Sequence, residues 1–260
     1  MTVQSSKDIT TYSPKRFMLV GNPTAGKTHL ACTFPAPFVF DFDTGCRRVG
    51  GAKLTFDFEV FDVMKDPRAA EQAFQRLREF IKAKDAKTLP YRTAVLDSMT
   101  TWSQAQMEAI LVANNRKDGK AQIQDYGALA EEMRNLFGMC VRAFEYVVLI
   151  AHEEIEKDEL TGSIVARPLC LGKKFVSFLP GCVDEMWFCE SRVVANKRVF
   201  SIKTLPDSRH PFLRTAVANL PMTLEDATYE KIAKLGGFWT EPTTQATQPT
   251  KPNAAQAATH

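Results

Sequence analysis

Gly21-Asn22-Pro23-Thr24-Ala25-Gly26-Lys27-Thr28 spells G-x-x-x-x-G-K-T, and it stands between the apolar run Phe17-Met18-Leu19-Val20 and Leu30-Ala31-Cys32. The chemistry that such a spacing supports is the binding of a nucleotide's phosphates. Charged phosphate oxygens need a concave array of backbone N–H donors, and glycines let the chain curl tightly and approach closely. A helix starting at the loop adds the positive end of its dipole. Lys27 is expected to reach the β- and γ-phosphates and the Thr28 hydroxyl to hold Mg²⁺. The nucleotide-contacting set is therefore Gly21, Asn22, Pro23, Thr24, Ala25, Gly26, Lys27 and Thr28, with His29 next to it. Ala94-Val95-Leu96-Asp97-Ser98 places an acid at the end of an apolar run, where a carboxylate can orient Mg²⁺ or its water shell. The same Asp-Ser pair also suits the cap of a following helix. Asp41 and Asp43 end the run Phe38-Val39-Phe40-Asp41-Phe42-Asp43. Strand alternation would turn both to one side, where one could polarise an attacking water; a solvated strand end fits the same pattern.

Elements that would position these residues are legible around them. Strands are expected at Arg16–Val20, Phe38–Phe42, Phe56–Phe61, Thr93–Leu96 and Tyr146–Ala151, the last an apolar run bracketed by polar residues, as in a strand buried on both faces. Helices are expected at Lys27–Thr33, Ala69–Lys84, Thr101–Ala113 and Ala128–Phe144. This alternation predicts an α/β fold with a mainly parallel central sheet flanked by helices. Met186–Arg192 and Arg198–Thr204 alternate apolar and polar around Ala195-Asn196-Lys197, which predicts an appended antiparallel hairpin.

The composition bounds the rest. A chain of 260 residues at 45% hydrophobic can bury a full core, and one domain over 15–240 is expected. Residues 1–14 are polar and read as a flexible N-terminus. Residues 241–260 are Thr, Gln, Ala and Pro with almost no bulky apolar side chain, and read as a disordered tail. The six cysteines contain no C-x-x-C pair, so reduced thiols are expected rather than a zinc or redox motif. A formal net charge of +3 is too small to argue nucleic-acid binding by itself. With no signal-peptide pattern and no apolar run of about eighteen residues, a cytoplasmic location without membrane contact is expected.

The order of these segments, closing with Val147-Val148-Leu149-Ile150-Ala151-His152, resembles the RecA-like P-loop ATPase core over roughly Arg16 to Leu205. More narrowly it resembles the short phage ATPases of the Sak-type single-strand annealing and recombination group. That resemblance implies an ATP- and Mg²⁺-dependent ATPase whose catalytic set is Lys27, Asp43, Asp97 and His152. Thr28 and Asp97 would hold the metal, and His152 would sense the γ-phosphate. RecA-like proteins carry a glutamate where this chain has Asp43, and the shorter acid reaches about one methylene less far. The family's DNA loops would correspond to Ala113–Tyr126 and Glu153–Lys174, with Arg116, Lys117, Lys120 and Arg167 as contacts. Acids in both segments nearly balance these cations, so a solvated loop is an equal reading. Trp102 and Tyr126 could stack on bases, although core packing suits Trp102 better. Lys173 and Lys174, after Gly172, are the candidates to touch a neighbouring subunit's γ-phosphate. The implied partners are single-stranded DNA, further copies of the chain in a ring or filament, and a single-strand-binding protein. The implied function is annealing or strand pairing in phage recombination, in the cytoplasm of a bacterial host. Two other classes share the P-loop: an ATP-sensing helicase loader or clamp with little turnover, and a nucleotide or small-molecule kinase. A kinase would need an arginine-rich lid, and no such cluster is visible.

Overall fold

Arg16–Val20 forms β1, and its residues divide between two cores: Met18 and Val20 on one face, Phe17 and Leu19 on the other. Successive apolar residues such as Phe17 to Val20 need both faces of the strand covered, and here helices cover them. The computed structural model describes residues 12–49, 54–66, 68–117, 119–157, 159, 162–172, 178–179 and 181–239. After β1 come α1 (Lys27–Ala31), β2 (Pro37–Asp41), β3 (Asp57–Val60), α2 (Ala69–Asp85), β4 (Thr93–Asp97), α3 (Met99–Ala113), α4 (Ile123–Ala143) and β5 (Tyr146–Lys157). β6 (Ile164–Leu169), β7 (Glu185–Val194), β8 (Lys197–Lys203), β9 (Thr223–Glu225) and α5 (Tyr229–Leu235) complete the described order.

The sheet runs β3-β2-β4-β5-β1-β7-β8-β9, and β6 pairs with β5 alone. Every pairing from β3 across to β7 is parallel, so these strands deliver their C-terminal ends to one edge of the molecule. β7 to β8 to β9 is antiparallel, with Ala195 and Asn196 both at positive φ in the tight turn between β7 and β8. The expected α/β fold with its mainly parallel sheet and appended antiparallel hairpin is thus observed. One core packs α2, α3 and α4 against the sheet through Phe74, Trp102, Met133 and Leu136. The other packs α1 and α5 through Leu30, Phe34, Tyr229 and Ile232.

Several boundaries differ from expectation. β2 ends at Asp41, whose carboxylate accepts the N–H groups of Gly45 and Cys46 at 3.0 Å each. The chain then turns, so strand alternation does not carry Asp41 and Asp43 to a common side. β5 continues six residues past Ala151 and pairs with β6, from His152 opposite Leu169 to Lys157 opposite Ile164. The segment expected as a polar loop from Glu153 is therefore largely a β-hairpin. Residues 1–11 and 240–260, which hold most of the expected flexible N-terminus and all of the expected tail, lie outside the described residues.

Candidate functional site

The phosphate loop is built by close packing against strands far away in sequence. Gly21 donates its N–H to Ala151 O at the end of β5, and a Cβ placed on Gly21 would lie 2.2 Å from the Cys189 carbonyl oxygen of β7. Gly26 has φ 85°, and its Cβ would meet the Phe200 ring of β8 at 2.8 Å. Gly21 is therefore required by its contact with fixed backbone, and Gly26 by its left-handed backbone with the Phe200 ring crowding it further. Asn22, Pro23 and Thr24 are exposed while Ala25 is buried. Lys27, the first residue of α1, is only 6% exposed, and its Nζ donates to the carbonyls of Gly21 and Asn22 at 2.7 and 2.8 Å. Burial pulls its pKa down, against the opposing pull of Cys189, Asp97, Asp43 and Glu153. Among the described residues no carboxylate forms an ion pair with it, which leaves a desolvated cation held by two backbone carbonyls. His29 is exposed on α1 and lines a small recess with Phe200 and Asp226.

Asp97 closes β4 at 4% exposure, and Thr28 Oγ1 donates to its Oδ2 at 2.6 Å. Burial pushes the carboxyl up to about 6; the Thr28 hydrogen bond works against this, Asp43 and Asp41 add to it, and Lys27 opposes it. A carboxylate that is costly to ionise and sits beside a hydroxyl and two other acids is a good seat for a hard cation. Two oxygen donors with phosphates and water supplying the rest suit Mg²⁺, which seldom uses an all-protein cage. No group of three or more His, Cys, Asp or Glu among the described residues is arranged to hold a metal on its own.

Asp43 stands two residues beyond β2, where its N–H and that of Phe42 donate to the Asp97 carbonyl at 3.2 and 2.6 Å. Its Oδ1 accepts from Ser98 Oγ at 3.0 Å and from Thr101 Oγ1, and its Oδ2 lies 3.2 Å from His152 Nε2. Burial raises its pKa, but hydrogen bonds from His152, Thr101 and Ser98 outweigh this and hold it below the usual carboxylate range. Ser98 also caps α3 through the Thr101 N–H, so the capping and site readings of Asp97-Ser98 both hold. His152 donates its N–H to Thr100 Oγ1 at 2.9 Å, and Thr100 Oγ1 donates to Leu169 O of β6 at 2.6 Å. The buried Nδ1 of His152 has no hydrogen-bond partner among the described residues.

The structure thus brings Lys27, Thr28, Asp43, Asp97 and His152 to the carboxyl ends of β1, β2, β4 and β5, where open parallel sheets bind their ligands. Other candidates fall elsewhere. Arg116 forks onto the fully buried carboxylate of Asp125 at 2.9 and 2.6 Å, which also accepts the Gln122 N–H to cap α4. Its guanidinium closes the α3–α4 connection with its side chain 24% exposed, and α4 itself starts at Ile123, inside the expected loop. Lys117 and Lys120 are exposed there. Arg167 pairs with Glu156 across the β5–β6 hairpin at 3.2 Å. Trp102 is fully buried against Phe74 and cannot stack on a base, whereas Tyr126 is exposed. Lys173 and Lys174 lie outside the described residues. Sequence reasoning missed Thr100 and Thr101, for which the hydroxyl-rich run Ser98-Met99-Thr100-Thr101 after the metal-type acid is the available signal.

The profile of the AAA domain family matches residues 13–211, spanning every residue of this site. The chain belongs to the AAA domain family. Two solved structures resemble this AAA domain. A KaiC-like protein from Pyrococcus horikoshii is 11% identical with a TM-score of 0.40, over 73% of this chain and 77% of its own. The flagellar accessory protein FlaH from Methanocaldococcus jannaschii is 8% identical with a TM-score of 0.38, over 84% of this chain and 88% of its own. No curated protein matches the chain. No helix among the described residues of the AAA domain is long and apolar enough to cross a membrane.

Proposed function

We propose that this AAA domain binds ATP with Mg²⁺ and hydrolyses it on single-stranded DNA, promoting annealing or strand pairing in phage recombination. The observation that carries the ATPase part is the 2.6 Å bond between Thr28 and the buried Asp97, set next to a buried Lys27 over a loop that only glycines can close. Thr28 and Asp97 would hold Mg²⁺, which neutralises charge on the phosphates when bound. Lys27 has its ammonium within the phosphate loop, free of any carboxylate partner among the described residues. Asp43 gives up basicity to three hydrogen bonds, so its role is to orient water rather than to take a proton strongly. Phosphoryl transfer through a loose transition state depends mainly on positioning and electrostatics and tolerates such a weak base. His152 links the two halves of the reading: its ring meets Asp43 and its N–H meets Thr100, whose hydroxyl bonds the hairpin at Leu169.

The DNA part rests on the order of the motifs and on this link between Asp43 and the β5–β6 hairpin. Ring or filament assembly and a single-strand-binding protein as a further partner rest on motif order alone. A second reading, an ATP sensor with little turnover, is favoured by the saturation of Asp43. Lys27→Ala should abolish ATP binding by calorimetry, and a variant that binds ATP like wild type would refute the site. Phosphate release should then rise when single-stranded DNA is added. Tight ATP binding with turnover indifferent to DNA would leave the sensor.

A further inference from the structure

A cleft of about 370 Å³ opens on the β7 side of the phosphate loop, lined by Asn22, Pro23 and Ala25 together with Glu153, Arg209 and His210. Glu153 is the residue after His152 on β5, and its side chain is 1% exposed. Its Oε1 accepts from Arg209 Nη2 at 2.5 Å, and its Oε2 is buried with no hydrogen-bond partner among the described residues. Arg209 is held at the backbone from both sides. Its N–H donates to Asp207 Oδ1 at 2.9 Å, and its carbonyl accepts the Ala166 N–H of β6 at 2.7 Å. The other cation of the cleft, Lys203, stands between Glu190 at 3.7 Å and Asp207 at 3.6 Å, and both carboxylates are thereby answered.

Burying a carboxylate beside a site for a polyanion is unfavourable unless a cation stays with it. Arg209 is that cation, and its side chain remains half-exposed. A guanidinium carries five N–H donors in a fixed fork, so the bond from Nη2 to Glu153 leaves it able to serve a second anion. We propose that Arg209 is a further cation of the phosphate site, supplied by the same chain, that recognises the terminal phosphate of a nucleoside triphosphate while Glu153 positions it in the cleft. Glu153 is then a positioning residue. The proposal rests on the P-loop reading above, to which it adds a discriminator between triphosphate and diphosphate. Because the Arg209 carbonyl bonds β6, that recognition would also act on the hairpin whose other strand carries His152.

The test compares dissociation constants for ATPγS and for ADP, each with Mg²⁺, by calorimetry. Charge-assisted hydrogen bonds of this kind predict that Arg209→Ala weakens ATPγS by about 10- to 100-fold while ADP changes by less than about twofold. Arg209→Lys should recover part of the loss. Arg192→Ala, which removes a surface cation paired with Glu225 outside the cleft, should move neither constant. Should Arg209→Ala fail to fold, Arg209→Gln keeps the stem and a donor for Glu153 and should show the same selective loss. An unchanged ratio of the two constants in a folded variant, or equal losses for both nucleotides, would overturn the proposal. Wild type that binds neither nucleotide, or a Lys27→Ala variant that binds both, would instead overturn the P-loop reading.

Discussion

Asp97 is a carboxylate placed where water scarcely reaches it, 4% exposed and in the field of Asp43 and Asp41. Its pKa is raised from 3.8 to about 6, so between those values the folded chain holds a proton that the unfolded chain has lost. Stability is therefore lost as pH rises through that window and stays lower above it. Asp97→Asn removes the titration and keeps an acceptor for Thr28. It should stabilise the ligand-free protein at pH 7.5 by on the order of 2–3 kcal/mol, with little gain near pH 4. Urea denaturation at the two pH values measures the difference. The same variant should lose the Mg²⁺-dependent part of nucleotide affinity. A site that destabilises its own fold in this way is what a stability–function conflict looks like at one residue. The partners of Asp43 show why so little of this was visible beforehand. Ser98, Thr101 and His152 are 55, 58 and 109 residues away along the chain, and no local pattern relates them.

At the scale of elements, α5 shows how a short helix holds a distant one. Tyr229 donates its N–H to Thr33 Oγ1 just beyond α1 and its hydroxyl to Tyr146 at the start of β5, while its ring packs on Phe34. Tyr229→Ala should cost about 3–5 kcal/mol, read as a lower urea midpoint at constant slope. β1, β4 and the first half of β5 were legible because strands buried on both faces are apolar at every position. The β7–β8 hairpin was legible because it alternates around a two-residue turn. β9 and α5 are three and seven residues long and carry too short a pattern to read. The β5–β6 hairpin was hidden for a different reason: exposed Glu154, Ile155 and Arg167 give it the composition of a loop. The fork of Arg116 onto Asp125 was not legible because nothing local in the sequence shows that Asp125 is buried.

For the whole molecule, one sheet joins both cores to the site, so ligand binding should register as global stability. A ligand that binds only the folded state adds about 2.7 kcal/mol at a hundredfold excess over its Kd. For a domain of this size that corresponds to a rise in Tm on the order of 5–10 °C. Differential scanning fluorimetry with Mg²⁺ and ATPγS should show this rise in wild type and none in Lys27→Ala. The packing of Gly21 beneath the Cys189 carbonyl carries this further. The eight-residue signature near the start of the chain takes its shape from a strand that is synthesised some 160 residues later. During translation it therefore emerges long before it has anything to lean on, and a truncated product ending ahead of Glu185 should display the complete signature yet fail to retain a fluorescent nucleotide on a gel-filtration column.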